Sequence, residues 1–214
     1  MKIVPAILAE TKDEFLFLLR QAESFTDYAQ IDLMDGFFVP TRSFPEEKIN
    51  SVETSLSFEL HLMVKHPAAF MSKIRNPSLK KVIFHFESEV KYFDFINQLH
   101  ERQITPGLAI NPATIKNQFL DLVQYVDTLL FLTVTPGKYG SPFQPEVIDK
   151  IAESRKIFPE KTIAVDGGVS LDNLKTFIDI GVDYVCVGSR IFQSDNPGKS
   201  YKTFTDKVAE LTKS

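Results

Sequence analysis

Two stretches carry the chemistry, Ile31-Asp32-Leu33-Met34-Asp35-Gly36 and Ala164-Val165-Asp166-Gly167-Gly168-Val169. Each is an apolar run that reaches an acid and then a glycine, the pattern of a buried strand arriving at a polar mouth. A carboxylate in such a run is costly unless it is paired, hydrogen-bonded or bound to a metal. Taken singly, Asp32 reads equally well as a buried acid held by backbone donors or a lysine. Two such strands far apart in sequence suggest instead two carboxylates, Asp32 and Asp166, facing each other across one pocket. His61 lies in Glu59-Leu60-His61-Leu62-Met63, where alternation points it with Glu59 and Met63 and away from Leu60 and Leu62. It is either a hydrogen-bonded core histidine or part of a two-Asp, one-His set. That set suits a divalent metal with an open position for a substrate oxygen. His85, in Phe84-His85-Phe86-Glu87, is a supporting partner of that set or a buried structural histidine, and His66 and His100 read as exposed. Met34 and Met63 are gap-fillers or an apolar lining beside a reacting carbon.

The glycines have a separate task. Gly167-Gly168 follows one apolar run and Gly188-Ser189-Arg190 follows another. In a barrel of alternating strands and helices, the loops after strands seven and eight form the usual phosphate site, where glycine lets backbone N–H groups approach an anion. Gly137 and Gly140, after the preceding run, can fold over the same phosphate. The simpler reading is that these glycines only make tight turns.

The elements that must position these residues follow from periodicity. Strands are expected at 2–8, 28–34, 56–64, 81–86, 107–110, 128–134, 162–166 and 182–187. Helices are expected at 13–22, 45–52, 67–74, 90–99, 113–125, 145–158, 171–180 and 201–211, with Ser170 capping the seventh. Strand and helix alternating about eight times imply a parallel sheet. At 214 residues the sheet closes most naturally into a single (β/α)8 TIM barrel spanning 1–214. An open doubly wound sheet usually has a glycine-rich first turn. Here that turn is Leu8-Ala9-Glu10-Thr11, and the glycines gather after the last three strands. In a barrel the site lies at the C-terminal strand ends, where Asp32, Met34, Asp35, His61, Met63, His85, Glu87, Asn111, Thr133, Thr135 and Asp166 all fall.

Composition narrows the partners. A net charge of −4 gives no support to nucleic-acid binding, and no apolar run approaches a membrane span. The single cysteine, Cys186, excludes an internal disulfide framework and fits a reducing, cytoplasmic setting; within its apolar run it reads as a buried, inert thiol. No signal peptide is expected at the N-terminus, and no organic cofactor is implied.

Several motifs in order resemble the signature of the ribulose-phosphate 3-epimerase family: Pro5-Ala6-Ile7-Leu8, Ile31 to Pro40, His61-Leu62-Met63-Val64, Asn111-Pro112-Ala113-Thr114, Thr133-Val134-Thr135-Pro136-Gly137, Val165 to Val169, and Gly188-Ser189 to Phe192. The resemblance runs nearly end to end. It implies a ribulose-phosphate-binding (β/α)8 barrel that inverts C3 of a ketose phosphate, such as D-ribulose 5-phosphate, in the pentose phosphate pathway. Asp32 and Asp166 would be the acid/base pair on opposite faces of the substrate, working through a 2,3-enediolate. Inversion needs two groups, because a lone base returns the proton to the face it came from. Asp32, His61 and Asp166 would hold a divalent metal, zinc or another, and His61, Met34 and Met63 would surround the substrate. Gly137, Gly140, Gly167, Gly168, Gly188 and Ser189 would hold its phosphate. The family assembles into dimers and larger forms, so a homo-oligomer is expected.

The chain also departs from that pattern. Where the family places a metal-binding His two residues before the first catalytic Asp, this chain has Gln30. A neutral amide is a weak zinc ligand, which opens the site to a harder metal with extra waters or to none. Ala6 lacks the hydroxyl of the family's Ser, Leu132 stands for a lining Met, Thr135 for an Asn, and Gly137-Lys138-Tyr139-Gly140 is bulkier than the usual loop. These changes sit around the substrate while both Asp remain. They leave open a diverged member acting on another sugar phosphate through the same enediolate, or a non-catalytic phosphosugar-binding protein.

Overall fold

The computed structural model describes residues 1–137 and 141–213. Eight parallel strands close into a barrel in sequence order: β1 (Lys2–Leu8), β2 (Tyr28–Met34), β3 (Ser57–Met63), β4 (Leu79–His85), β5 (Thr105–Ile110), β6 (Thr128–Leu132), β7 (Thr162–Asp166) and β8 (Tyr184–Val187). Around them lie α1 (Lys12–Glu23), α2 (Pro67–Met71), α3 (Tyr92–Glu101), α4 (Leu120–Val123), α5 (Val147–Ile157), α6 (Leu174–Asp179), α7 (Ser189–Phe192) and α8 (Pro197–Leu211), with 3-10 turns at Glu46–Ser51 and Lys116–Gln118. The (β/α)8 barrel expected from the alternation is therefore the observed fold. No helix among the described residues is long and apolar enough to cross a membrane.

Strand alternation divides the apolar residues into two layers. On β2, Ala29, Ile31 and Leu33 face outward into the core beneath the helices, as Phe58, Leu60 and Leu62 do on β3. That outer core receives Phe15, Leu18, Leu19 and Ala22 of α1. Burying side chains of this size contributes about 1.5–3 kcal/mol each for the larger ones. The intervening positions point into the barrel, where Val4, Ala6, Ile83, Ala109, Leu130, Leu132, Ala164, Tyr184 and Cys186 pack together. The N-terminal end of the interior is plugged by a polar cluster. Glu59 is fully buried and accepts from the hydroxyls of Tyr28 and Tyr184, both at 3.0 Å, with Lys81 Nζ 3.3 Å away. The ion pair and both hydroxyls satisfy one another, which is the condition for burying such charges.

Several helices differ from expectation, each for a local reason. The segment expected as one helix over 113–125 breaks into the 3-10 turn and α4. Lys150 Nζ binds the carbonyls of Pro112 and Thr114 at 2.6 and 2.7 Å, and Ile115 N–H donates to the Gln118 side chain, holding this stretch in a loop. Ile115, counted on the apolar face, is 66% exposed. Ser170 does not cap a helix: its N–H donates to Asn173 Oδ1 at 2.8 Å, and α6 starts only at Leu174. The last helix begins earlier than its apolar spacing indicated, because Asn196 caps Lys199 N–H at 2.9 Å and Pro197 takes the first position. The four-residue α7 was absent from the expectation, being too short to show a period.

Candidate active site

The register of the barrel explains why residues distant in sequence meet. Asp32 pairs with His61 across β2 and β3, and Asp166 pairs with Cys186 across β7 and β8. Alternation turns Gln30, Asp32 and Met34 inward together, and likewise Glu59, His61 and Met63. Asp32, His61 and Asp166 then form the floor of a cavity of about 890 Å³ at the C-terminal end of the barrel.

His61 Nδ1 lies 3.0 Å from Asp32 Oδ1 and 3.2 Å from Asp166 Oδ2. Gln30 Nε2 donates to the same two oxygens, at 2.9 and 2.8 Å. Gln30 Oε1 in turn accepts from Cys186 Sγ at 3.1 Å. Cys186 is thus buried as expected, and burial pushes its thiol up, as befits an inert group. Its contact with Gln30 was not anticipated, although alternation with Tyr184 on β8 places it inside the barrel.

Electrostatics follow from burial and from the proximity of two acids. Burial, then the charge of Asp166, raises the Asp32 carboxyl to about 6, against the opposing pull of His61 and Gln30. For His61, burial is the largest single influence and disfavours the charged ring. The two carboxylates together outweigh it and lift His61 to about 9. Behind His61 stands His85, the two Nε2 atoms 3.0 Å apart, and His85 Nδ1 is 3.1 Å from Glu87 Oε2. Burial lowers His85 to about 4. His85 is therefore neither exposed nor on the cavity wall; it backs His61, with the Phe38 ring 4.6 Å from its own.

The donor set fits a divalent cation. Ligand atoms of Asp32, His61 and Asp166 lie within 4.8 Å of one another, the hard oxygen and imidazole donors that such an ion takes. Gln30 faces them with its nitrogen, which is no ligand, so three protein groups are available.

The remaining expected residues divide. Met63, Leu132, Gly137, Gly167, Gly168, Gly188 and Ser189 line the cavity. Met34 does not; it is buried beside Val39 and Met63 in a small apolar cluster. Gly140 lies outside the described residues. Gly167 and Gly168 have φ of +97° and +62°, so the turn itself demands glycine there. A Cβ on Gly167 would lie 2.3 Å from Val134 Cγ2. Asp35 is structural: it accepts from the N–H groups of Phe37, Phe38 and Lys65 and joins the loops after β2 and β3. Thr133 is buried and its hydroxyl donates to Gly167 O at 2.5 Å, tying β6 to the glycine turn.

Comparison with known proteins agrees with this arrangement. Among solved structures, the 3-hexulose-6-phosphate synthase of Salmonella typhimurium superposes with a TM-score of 0.73 over 99% of this chain and 100% of that one, at 18% identity. The orotidine 5'-monophosphate decarboxylase of Sulfolobus solfataricus gives 0.67 over 99% of both chains, at 14% identity. These likenesses speak for the barrel alone. Curated relatives are more similar in sequence. The ribulose-phosphate 3-epimerase of Schizosaccharomyces pombe is 29% identical over 205 residues, covering 92% of this chain and 89% of the relative. That of Helicobacter pylori is 30% identical over 203 residues, covering 91% and 92%. The profile of the Ribulose-phosphate 3 epimerase family matches residues 2–192. The chain, with its paired aspartates and its Gln30, is a diverged member of the ribulose-phosphate 3-epimerase family of isomerases.

Proposed function

We propose that the protein inverts C3 of a ketose phosphate, converting D-ribulose 5-phosphate to D-xylulose 5-phosphate and back. The observation that carries this reading is the convergence of Asp32 and Asp166, from strands on either side of β1 and β8, at the floor of one cavity. One carboxylate takes the C3 proton, leaving electron density that spreads to the C2 oxygen as a 2,3-enediolate. The other carboxyl gives a proton to the opposite face of C3. In the reverse direction the two exchange roles, so each must be able to hold a proton in turn. The raised Asp32 suits it to that task near neutral pH.

Asp32, His61 and Asp166 are the residues that would hold a divalent cation, whose charge, when bound, favours negative charge on the substrate oxygens. Gln30 donates hydrogen bonds to both aspartates and so fixes their orientation. Met63 and Leu132 supply an apolar wall that keeps water from the reacting carbon. Gly168, Gly188 and Ser189, with Gly137 and Gly167, line the end of the cavity that suits the phosphate, where the open backbone of two glycine turns can approach an anion.

A second reading, another sugar phosphate processed through the same enediolate, is favoured by the departures Gln30, Ala6 and Tyr139 in the sequence. The test is a coupled assay of the purified protein with D-ribulose 5-phosphate, with and without added manganese or zinc. Formation of D-xylulose 5-phosphate supports the epimerase. Turnover of a different ketose phosphate, with none of this one, favours the second reading.

A further inference from the structure

A line of polar contacts leaves the cavity floor and ends at the carboxylate of Glu87, which does not line the cavity. It runs from His61 Nε2 to His85 Nε2 at 3.0 Å, and from His85 Nδ1 to Glu87 Oε2 at 3.1 Å. The other oxygen, Glu87 Oε1, accepts from Asn111 N–H at 3.1 Å and from the Thr114 hydroxyl. Both histidines are fully buried.

We propose that Glu87 and His85 are positioning residues that hold a proton on His61 Nε2, so that Nδ1 is the ring nitrogen offered to a divalent cation held with Asp32 and Asp166. The inference rests on the reading of those three residues as a cation site.

The argument is one of donors and acceptors. An ionised carboxylate only accepts, so His85 Nδ1 must carry a proton. A neutral His85 then has a bare Nε2, which must accept. Its hydrogen-bond partner among the described residues is His61 Nε2, 3.0 Å away, which must donate. His61 Nδ1 faces two carboxylates, 3.0 Å from Asp32 and 3.2 Å from Asp166, and without a cation it carries a proton of its own; a divalent cation held with the two aspartates would take the place of that proton while Nε2 keeps its own. Reversing the chain would leave the ring's one proton on Nδ1 and block ligation. A ligating histidine is ordinarily held in this way by a hydrogen bond to its other nitrogen.

The same logic predicts an unusual severity for Glu87→Gln. The Asn111 backbone N–H can only donate, so it fixes the new amide oxygen at the Oε1 position. The amide NH2 then faces His85 Nδ1 and forces that atom to accept. His85 must carry its proton on Nε2, and His61 is driven to the Nδ1–H tautomer. Thr114→Val removes a hydrogen bond to the same carboxylate but leaves the direction of the chain unchanged.

The test combines long-range 1H–15N NMR of the histidine rings with manganese affinity measured by chelator competition. In the wild-type protein loaded with zinc, His85 is expected to be protonated on Nδ1 and His61 on Nε2. In Glu87→Gln the manganese affinity should fall by about tenfold to a hundredfold, with the His85 proton moved to Nε2; Thr114→Val should change affinity much less. Wild-type His85 protonated on Nε2 alone would overturn the proposal, whether or not the variant folds. So would equal losses in the two variants, or a Glu87→Gln protein that binds manganese as wild type does. Tautomers and metal affinity are read without substrate. A protein that shows this relay and leaves D-ribulose 5-phosphate unchanged refutes the proposed reaction and not the relay.

Discussion

Gln30 Nε2 donates to Asp166 Oδ2 at 2.8 Å, joining β2 to β7 through the barrel interior. Its second bond, to Asp32 Oδ1, makes one neutral amide the bridge between two acids. The two carboxylates, which only accept, draw the amide nitrogen, and the amide oxygen meets the Cys186 thiol. The position at which the family resemblance implies an imidazole is here an N–H donor set against paired carboxylates.

That relationship predicts opposite effects of two substitutions. Gln30→His supplies a fourth ligand and should raise zinc affinity at least about tenfold, equivalent to about 1.4 kcal/mol. Gln30→Leu removes both donors. A hydrogen bond to a charged group contributes about 1.5–3 kcal/mol, so the metal-free variant should melt well below the wild type. Zinc titration calorimetry and thermal melts in EDTA check the two.

A pH dependence follows for protein stripped of divalent cations. His61 is raised from 6.5 to about 9 by the two carboxylates, against its burial. A raised histidine stabilises the fold fully below its unfolded value and loses that contribution as pH climbs through its folded value. Stability should therefore fall between about pH 6.5 and 9. Asp32 acts in a separate window: its rise from 3.8 to about 6 opposes folding as pH climbs between those values and adds nothing above them. Melting temperatures in EDTA from pH 6 to 10 should decline, and His61→Gln should flatten the decline. An equally steep decline in the variant would assign it to other groups.

The glycine turn after β7 predicts a graded pair. Gly168→Ala places a side chain at φ +62° with its Cβ 3.0 Å from that of Phe143, a cost of about 1–2 kcal/mol for the backbone alone. Gly167→Ala adds a 2.3 Å approach to Val134 and should cost more. Both should raise KM for the sugar phosphate more than they lower kcat, since the turn lies at the end of the cavity proposed to hold the phosphate. Urea melts and steady-state kinetics test the order.

The barrel was legible because strand alternation and helical spacing are local signals. All eight strands stand where the apolar runs lie, and the acids at the ends of β2 and β7 needed only the barrel to bring them together. The same alternation gave the inward direction of His61. What stayed hidden depends on contacts between distant elements. Cys186 looked like ordinary core because nothing local links it to Gln30, 156 positions away. Glu87 was visible at a strand end, but its role depends on Asn111 and Thr114 from the next βα loop. The helix expected over 113–125 failed because Lys150, far along the chain, holds that loop by its carbonyls.

The central claim is that two aspartates serve the two faces of C3. The most direct measurement incubates the protein with D-ribulose 5-phosphate in D₂O and follows C3 by NMR, beside the Asp32→Asn and Asp166→Asn variants. The account predicts D-xylulose 5-phosphate carrying deuterium at C3 in the wild type, and inversion slowed by about 10²–10⁴-fold in each variant. Inversion without deuterium at C3, or full inversion with either aspartate replaced, would contradict it.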